Sequence, residues 1–460
     1  MTANALVWLR NDLRLADNPA LHAAVKLGGK ITALYVHETN SKLRAPGGAV
    51  LWWLEQSLNS LEKSLNEHNV ELLVARGDAL EIIEQLIAEN AFDTIFWNRR
   101  YAPQERDVDA IVKSTLKEKG LHVESFAGSL LCEPWEIKTG GGGPYQVFTP
   151  YAKMLRQQGV NRPLPSPDWT DEISTQNAGR EVYRQPFWSK KMNGIWKIGE
   201  AAAIDQLYHF FDETIRTYAG DRDRPDLEGT SKISPHLRFG EISPRQAWYA
   251  TLSLMDEHPD TQTGGEKFLS ELIWRDFHYH QLYYRPDIAE NDMRNTLADV
   301  QWQSKPEAFE AWRMGNTGVP MIDAGMRQLW ATGWMHNRVR MLVASVLSKN
   351  MQIDWREGEK WFWDTLVDAD IASNPGSWQW VAGCGMDAAP YFRVFNPVLQ
   401  GDKFDTGGAY VREWVPEIAA LPDRWIHKPY AAPEDVLRKA GIVLGKTYPL
   451  PVFKAPKAGK

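Results

Sequence analysis

Cysteine is nearly missing from this sequence, with two residues, Cys132 and Cys384, in 460. That excludes a disulfide framework, a tetrathiolate zinc site and an iron–sulfur cluster held by four thiolates. Long apolar runs are missing too. No stretch reaches the roughly 20 residues that a bilayer-spanning helix needs, and the start, "MTANALVWLRNDLR", has no basic segment followed by an apolar one. A cytoplasmic protein with no membrane partner is expected. Positive charge is not in excess: 52 Lys and Arg stand against 59 Asp and Glu, a net of −7. This argues against coating nucleic acid by bulk charge, although a local basic patch is compatible with it. Nor does a G-x-G-x-x-G follow the first apolar run, so no dinucleotide fingerprint is evident. What the chain has in quantity is tryptophan, 21 residues, more than its Tyr or its Phe. Its 43% hydrophobic content suffices for a large core, and its length favours two or more domains.

Residues 1–131 alternate short apolar runs with helical patterns. "ALVWLR", "ITALYVHE", "ELLVARGD", "DTIFWN" and "HVESFAG" read as buried strands. "NPALHAAVKLG", "GAVLWWLEQSLNSLEKSLNEH", "DALEIIEQLIAEN" and "ERDVDAIVKSTLKEKG" read as the helices between them. Asp17 or Asn18 before Pro19 suits a helix start, and Gly120 suits a stop. The order predicts an α/β domain, a Rossmann-like parallel sheet covered on both faces. Residues 132–199 carry "TGGGGPYQVFTP" and "NRPLPSPDW" and read as an extended interdomain connector. From residue 200 to 460 helical patterns dominate, and an all-α domain is expected.

The chemistry-bearing segments lie in this helical part. In "SELIWRDFH", Glu271, Trp274, Arg275 and His278 share one helical stripe. This is either a solvated face with an i, i+4 ion pair, or an aromatic ring flanked by hydrogen-bonding groups that can stack on a base and read its edge. In "LVDADIASNPGSWQW", Asp368 and Asp370 precede Asn374, Trp378 and Trp380. The two acids suit metal ligands, caps or salt-bridge partners; the spaced carboxylate loop or His-rich companions of a metal site are missing, and Arg340 offers a partner. In "EGTSKISPHLRFG", Thr230, Ser231 and Ser234 surround Lys232 ahead of a helix, as phosphate contacts or as a plain cap. "GWMHNRVRM" sets Asn337 and Met341 on one helical face with Arg340 beside them.

In this combination and order the segments resemble the photolyase/cryptochrome family, and within it microbial class I-like photolyases of cyclobutane pyrimidine dimers. Matches run from "WLRNDLRLADNPAL" to "FNPVLQGDKFD" and "REWVPEI", densest between Tyr218 and Asp405. The resemblance implies an N-terminal antenna domain and a helical FAD- and DNA-binding catalytic domain. It also implies a mechanism: excited, fully reduced anionic FAD passes an electron to a dimer flipped out of UV-damaged DNA, the ring splits and the electron returns. By the same resemblance Tyr218 and the segment Thr230, Ser231, Lys232, Ile233 and Ser234 contact the FAD phosphates and ribitol. Asp368, Ala369 and Asp370 contact flavin and ribose, Arg340 pairs with Asp368 near the ring, and Asn374 lies beside flavin N5. Cryptochromes of plants carry Asp at that position and those of animals Cys, so Asn374 favours a flavin that can be fully reduced.

Asn337 and Met341 match the dimer pocket, Glu271 the residue that hydrogen-bonds the 5′ base, and Trp274 and Trp380 its apolar walls. Repair enzymes for (6-4) photoproducts place His at both positions; His336 stands about 100° round the helix from Asn337 and does not replace either. DASH-type cryptochromes alter the indole wall and the Met, which are kept here. Trp302, Trp355 and Trp378 match a chain of electron-carrying indoles. Arg222, Arg275, Arg338 and Gln400 match DNA contacts, on single- or double-stranded DNA, for a protein expected to be monomeric. Glu105 matches an acid that contacts the antenna methenyltetrahydrofolate in some members, while Gln104 replaces their Asn and "DIAENDM" departs from their second contact segment, so that folate, a deazaflavin and an empty antenna site all stay open. A blue-light receptor without repair activity is the rival reading, and no long tail follows "VFKAPKAGK".

Overall fold

The structure is a computed structural model, and it describes residues 4–169, 185–390 and 393–454. Five strands, β1 (Ala5–Leu9), β2 (Ile31–Glu38), β3 (Glu71–Gly77), β4 (Thr94–Asn98) and β5 (His122–Phe126), form one sheet in the order β3-β2-β1-β4-β5. Every pairing is parallel, with Val7 opposite Ala33 on one side and Phe96 on the other. β1 and β4 are buried along their whole length, as inner strands covered on both faces must be, whereas the edge strands β3 and β5 alternate. Trp8, Leu34, Ile95, Trp97 and Val123 pack on one face with Ile83, Val112 and Leu116 of the helices Ala79–Asn90 and Pro103–Glu118. The strand order reverses direction after β3, and with the right-handed crossovers usual for parallel strands the helices Pro19–Lys26 and Gly48–Asn66 are expected on the other face.

Short-range chemistry sets the helix ends. Asn18 caps Pro19–Lys26, its side chain accepting from the Leu21 N–H at 3.2 Å. Asp17, the alternative cap, is instead fully buried against Arg245 at 2.8 Å. Gly120 takes the left-handed conformation with φ +85° just past the Pro103–Glu118 helix. The connector stretch holds a helix, Phe148–Gln158, which its Gly and Pro content concealed. Helices also account for the elements after it, and the architecture is α/β followed by all-α, as the patterns predict.

Two compact units account for the chain. One comprises Met1–Phe187, Trp196–Arg216 and Ser231–Pro286; the other comprises Trp188–Ile195, Thr217–Thr230 and Asp287–Lys460. Sequence texture at residues 131/132 and 199/200 marks changes of composition, whereas these units mark which segments pack together. Among the described residues no helix is long and apolar enough to cross a membrane.

Candidate functional site

Within the second unit, the helix Asn337–Ser345 buries Val339, Leu342, Val343 and Ala344, which leaves Asn337 exposed and Met341, Arg338 and Arg340 half-buried on its other faces. Its start is set by His336, whose Nδ1 accepts the Arg338 N–H at 3.2 Å. Burial holds this imidazole down to about 4, and the charges of Arg338, Arg340 and Arg222 act in the same direction, so His336 is a neutral cap. Arg340 makes a forked pair with Asp368, Nη1 to Oδ1 at 3.1 Å and Nη2 to Oδ2 at 2.8 Å, while its Nε donates to the Met335 carbonyl at 2.7 Å. The three bonds fix the guanidinium plane. Asp370 serves differently. Its Oδ1 accepts the N–H groups of Ala372 and Ser373 at 2.9 and 2.7 Å, at the start of the helix Ser373–Ala382. One acid is thus a salt-bridge partner and the other a cap, two of the three roles left open by the sequence.

Asn374 is buried and its amide nitrogen donates to both oxygens offered by Glu359, the carboxylate Oε1 at 2.7 Å and the backbone carbonyl at 3.1 Å. An amide with two acceptors on one side must turn its NH2 there. Its carbonyl oxygen, with no hydrogen bond among the described residues, is left as an acceptor for a ligand. Two residues further along comes Gly376, then Trp378, facing inward at 2% exposure, and Trp380, half-buried on the opposite side of the helix and facing Phe395 at 6.5 Å. Trp378 is enclosed by Trp312 and Phe362 with centroids at 6.3 and 5.1 Å, and its indole N–H has no partner among the described residues. Trp355 is fully buried with its N–H on Asp292 at 3.2 Å, and Trp302 is half-buried. Tyr218 is buried with the Arg222 guanidinium 5.5 Å from its ring centroid, and Arg338 pairs with Asp223 at 2.5 Å. Gln400, half-buried on the helix Pro397–Phe404, has a buried Oε1 without a partner among the described residues.

In the first unit the helix Gln262–Tyr284 carries the other stripe. Glu271 pairs with Lys267 at 3.3 Å, one turn back, and Arg275 donates to the Ser129 carbonyl at 2.7 Å. Trp274 lies face to face on Phe148, centroids 3.7 Å apart and planes 2° from parallel. The stack fixes the indole plane and covers one of its faces. Below it His280 accepts the Tyr145 N–H at Nε2 (3.0 Å) and donates from Nδ1 to the Pro134 carbonyl (2.9 Å), pinning the segment that leads to Phe148. Ile233 is buried, and Lys232 turns the chain in the left-handed region, φ +49°, into the helix Ser234–Phe239. At the carboxyl ends of β1, β2 and β4, Arg10 and Arg100 share Asp109 at 3.0 and 2.7 Å, and Arg100 also binds Glu38. Glu105 begins the next helix, its carboxyl raised by burial.

Phe148, Asp223 and Glu359 each fix a residue singled out by the sequence, and none was foreseen. They carry no local signal, because each meets its partner across tertiary space. Among the described residues no group of three His, Cys, Asp or Glu is placed to hold a metal ion.

Fold and site together define a protein with a parallel α/β sheet and a helical portion that holds both a fixed amide acceptor and a forked Arg–Asp pair. Comparison with known proteins gives that class its family. Residues 5–168 match the model described as DNA photolyase, and residues 268–460 match the FAD binding domain of DNA photolyase. A deoxyribodipyrimidine photo-lyase of Agrobacterium fabrum is 46% identical over 99% of this chain and 96% of its own, and that of Escherichia coli 38% identical over 98% and 96%. Among solved structures, a bacterial class III photolyase from Agrobacterium tumefaciens matches with a TM-score of 0.91 at 45% identity, covering 99% of this chain and 95% of that one. The chain belongs to the photolyase/cryptochrome family and carries that family's FAD-binding domain.

Proposed function

We propose that the protein repairs cyclobutane pyrimidine dimers in UV-damaged DNA in a light-dependent reaction. The observation that carries this reading is the pairing of an unaltered dimer-facing helix start, Asn337 exposed and Met341 half-buried, with Asn374 held as a hydrogen-bond acceptor. Names of the relatives agree with it. When bound in its fully reduced, anionic form, FAD supplies the excited electron that the dimer receives and later returns.

The residues fit that cofactor. Asn374 presents an acceptor suited to an N–H donor, which a reduced flavin has at N5 and an oxidised one lacks. Arg340, with its charge balanced by Asp368, offers a fixed positive edge. Tyr218, Thr230, Ser231, Lys232, Ile233 and Ser234 bind the phosphates and ribitol, and Ala369 and Asp370 the flavin and ribose. Glu271 hydrogen-bonds the 5′ base of the dimer; Asn337 and Met341 hold it, and Trp274 and Trp380 wall it. Because Phe148 covers one face of Trp274, only the other can meet a base. Trp378, Trp355 and Trp302 relay electrons toward the surface, in keeping with two buried rings and a half-buried third. Arg222, Arg275, Arg338 and Gln400 contact the DNA backbone. Residues 1–131 serve as antenna domain, 132–199 as connector and 200–460 as catalytic domain. The partner is single- or double-stranded damaged DNA, and the protein works as a cytoplasmic monomer. A second chromophore, folate or deazaflavin, would be held by residues 1–131.

The test gives FAD-loaded, photoreduced protein two oligonucleotides, one with a cyclobutane thymine dimer and one with a (6-4) photoproduct, in blue light and in darkness. Light-dependent restoration of the first alone is expected. Restoration of the second instead would overturn the reading of Asn337 and Met341, and no restoration of either would favour a receptor.

A further inference from the structure

Arg338 has a partner inside its own unit. Its Nη2 lies 2.5 Å from Asp223 Oδ2, and the ring of Phe404 supports the guanidinium from 4.6 Å. The pair is neither fully open nor sealed, with side chains 17% and 33% exposed. The Asp223 carboxylate also lies within electrostatic reach of the buried His336, as do Arg222, Arg338 and Arg340. Arg340 is already balanced by Asp368, so the negative charge of Asp223 falls on Arg338 and its neighbour Arg222.

We propose that Asp223 is a built-in competitor for the DNA phosphate that Arg338 contacts. This rests on the reading of Arg338 as a phosphate contact. A carboxylate oxygen offers a guanidinium what a phosphate oxygen offers, a charged acceptor at hydrogen-bond distance. A phosphate that reaches Arg338 must share it with Asp223 or displace it. Backbone contacts are therefore weakened on every DNA, and fewer net charges are neutralised on binding than the arginines alone would suggest. Since the competition concerns phosphate and not bases, it acts equally on damaged and undamaged duplex. The protein then spends less time on intact DNA, and contacts to the extruded dimer decide where it stays.

The test measures binding of the full-length, FAD-loaded protein in darkness to a labelled duplex, undamaged or with one thymine dimer, across a salt titration. Asp223→Asn is expected to tighten both by about 3-fold and to steepen the log K against log salt slope by about 0.9, the contribution of one phosphate. In the Arg338→Gln background the same substitution should have no effect. If Arg338→Gln flattens the slope but Asp223→Asn changes nothing or weakens binding, the competitor proposal is overturned while the Arg338 contact stands. If Arg338→Gln leaves the slope unchanged, the underlying contact is wrong and the proposal falls with it. Asp223→Ser repeats the measurement should the Asn variant lose its flavin or its native melting profile.

Discussion

Replacing Asp368 by Asn keeps the shape of the side chain and removes the charge that balances Arg340. One of the two parallel bonds, 2.8 and 3.1 Å, would then bring an NH2 against a guanidinium N–H. For a fully buried pair, loss of one partner costs about 3–5 kcal/mol. Asp368 is 4% exposed but Arg340 is 24% exposed, so water recovers part of the cost, as it does for surface pairs. A cost of about 2 kcal/mol is therefore expected. For a cooperative unit of this size each kcal/mol is worth about 2–4 °C, so the melting temperature should fall by roughly 4–8 °C. Arg340 keeps its Nε bond to Met335, and Arg340→Gln combined with Asp368→Asn leaves two neutral amides that can bond each other. The double variant should therefore be less destabilised than the two single effects added together. Melting followed by far-UV circular dichroism, at equal flavin saturation because bound cofactor itself stabilises, supplies the cycle. Additivity within about 0.5 kcal/mol would refute the coupling and with it the claim that this pair fixes the Arg340 guanidinium.

Two further outcomes rest on the packing. Burial holds His280 down to about 4, below its ordinary 6.5, so its stabilising contribution is complete above pH 6.5 and is lost as pH falls toward 4. The shift amounts to about 3 kcal/mol. Asp276 on the same helix, raised by burial to about 7, works in the opposite direction, so denaturation between pH 7 and 4.5 should be compared with His280→Gln, which shares Asp276. An equal loss of stability in both would show that His280 does not titrate as described. In the helix Trp355–Thr365, a Cβ at Gly358 would run into the ring edge of Trp378 and into Leu347. Gly358→Ala should cost about 1–2 kcal/mol, overpacking outweighing the gain in helix propensity, and should slow light-driven reduction of the flavin. A lowered melting temperature with unchanged photoreduction would remove Trp378 from the proposed relay, and unchanged melting would refute the overpacking.

Much of this is legible in the chain's local pattern. Buried strands announce themselves as continuous apolar runs, helices by their period, and their ends by Asn18, Pro19 and Gly120, because these signals act over a few residues of backbone. The helical period likewise sorts Asn337 and Met341 from Val339. Gly and Pro hid the Phe148–Gln158 helix, since propensity is a weak guide where tertiary packing decides. The stripe from Glu271 to His278 was visible, but not that Glu271 would turn to Lys267 and Arg275 to a backbone carbonyl.

Composition and local pattern alone determined the class of each domain and which side chains could carry chemistry. Their similarity to the family's motifs supplied the roles. Tertiary structure decided the orientation of those groups: that the amide oxygen of Asn374 is left to accept, which face of Trp274 is covered, and which acid pairs with Arg338. A side chain's direction is fixed by the hydrogen bonds and rings it meets, and here those partners come from other elements of the fold, beyond the reach of any local signal.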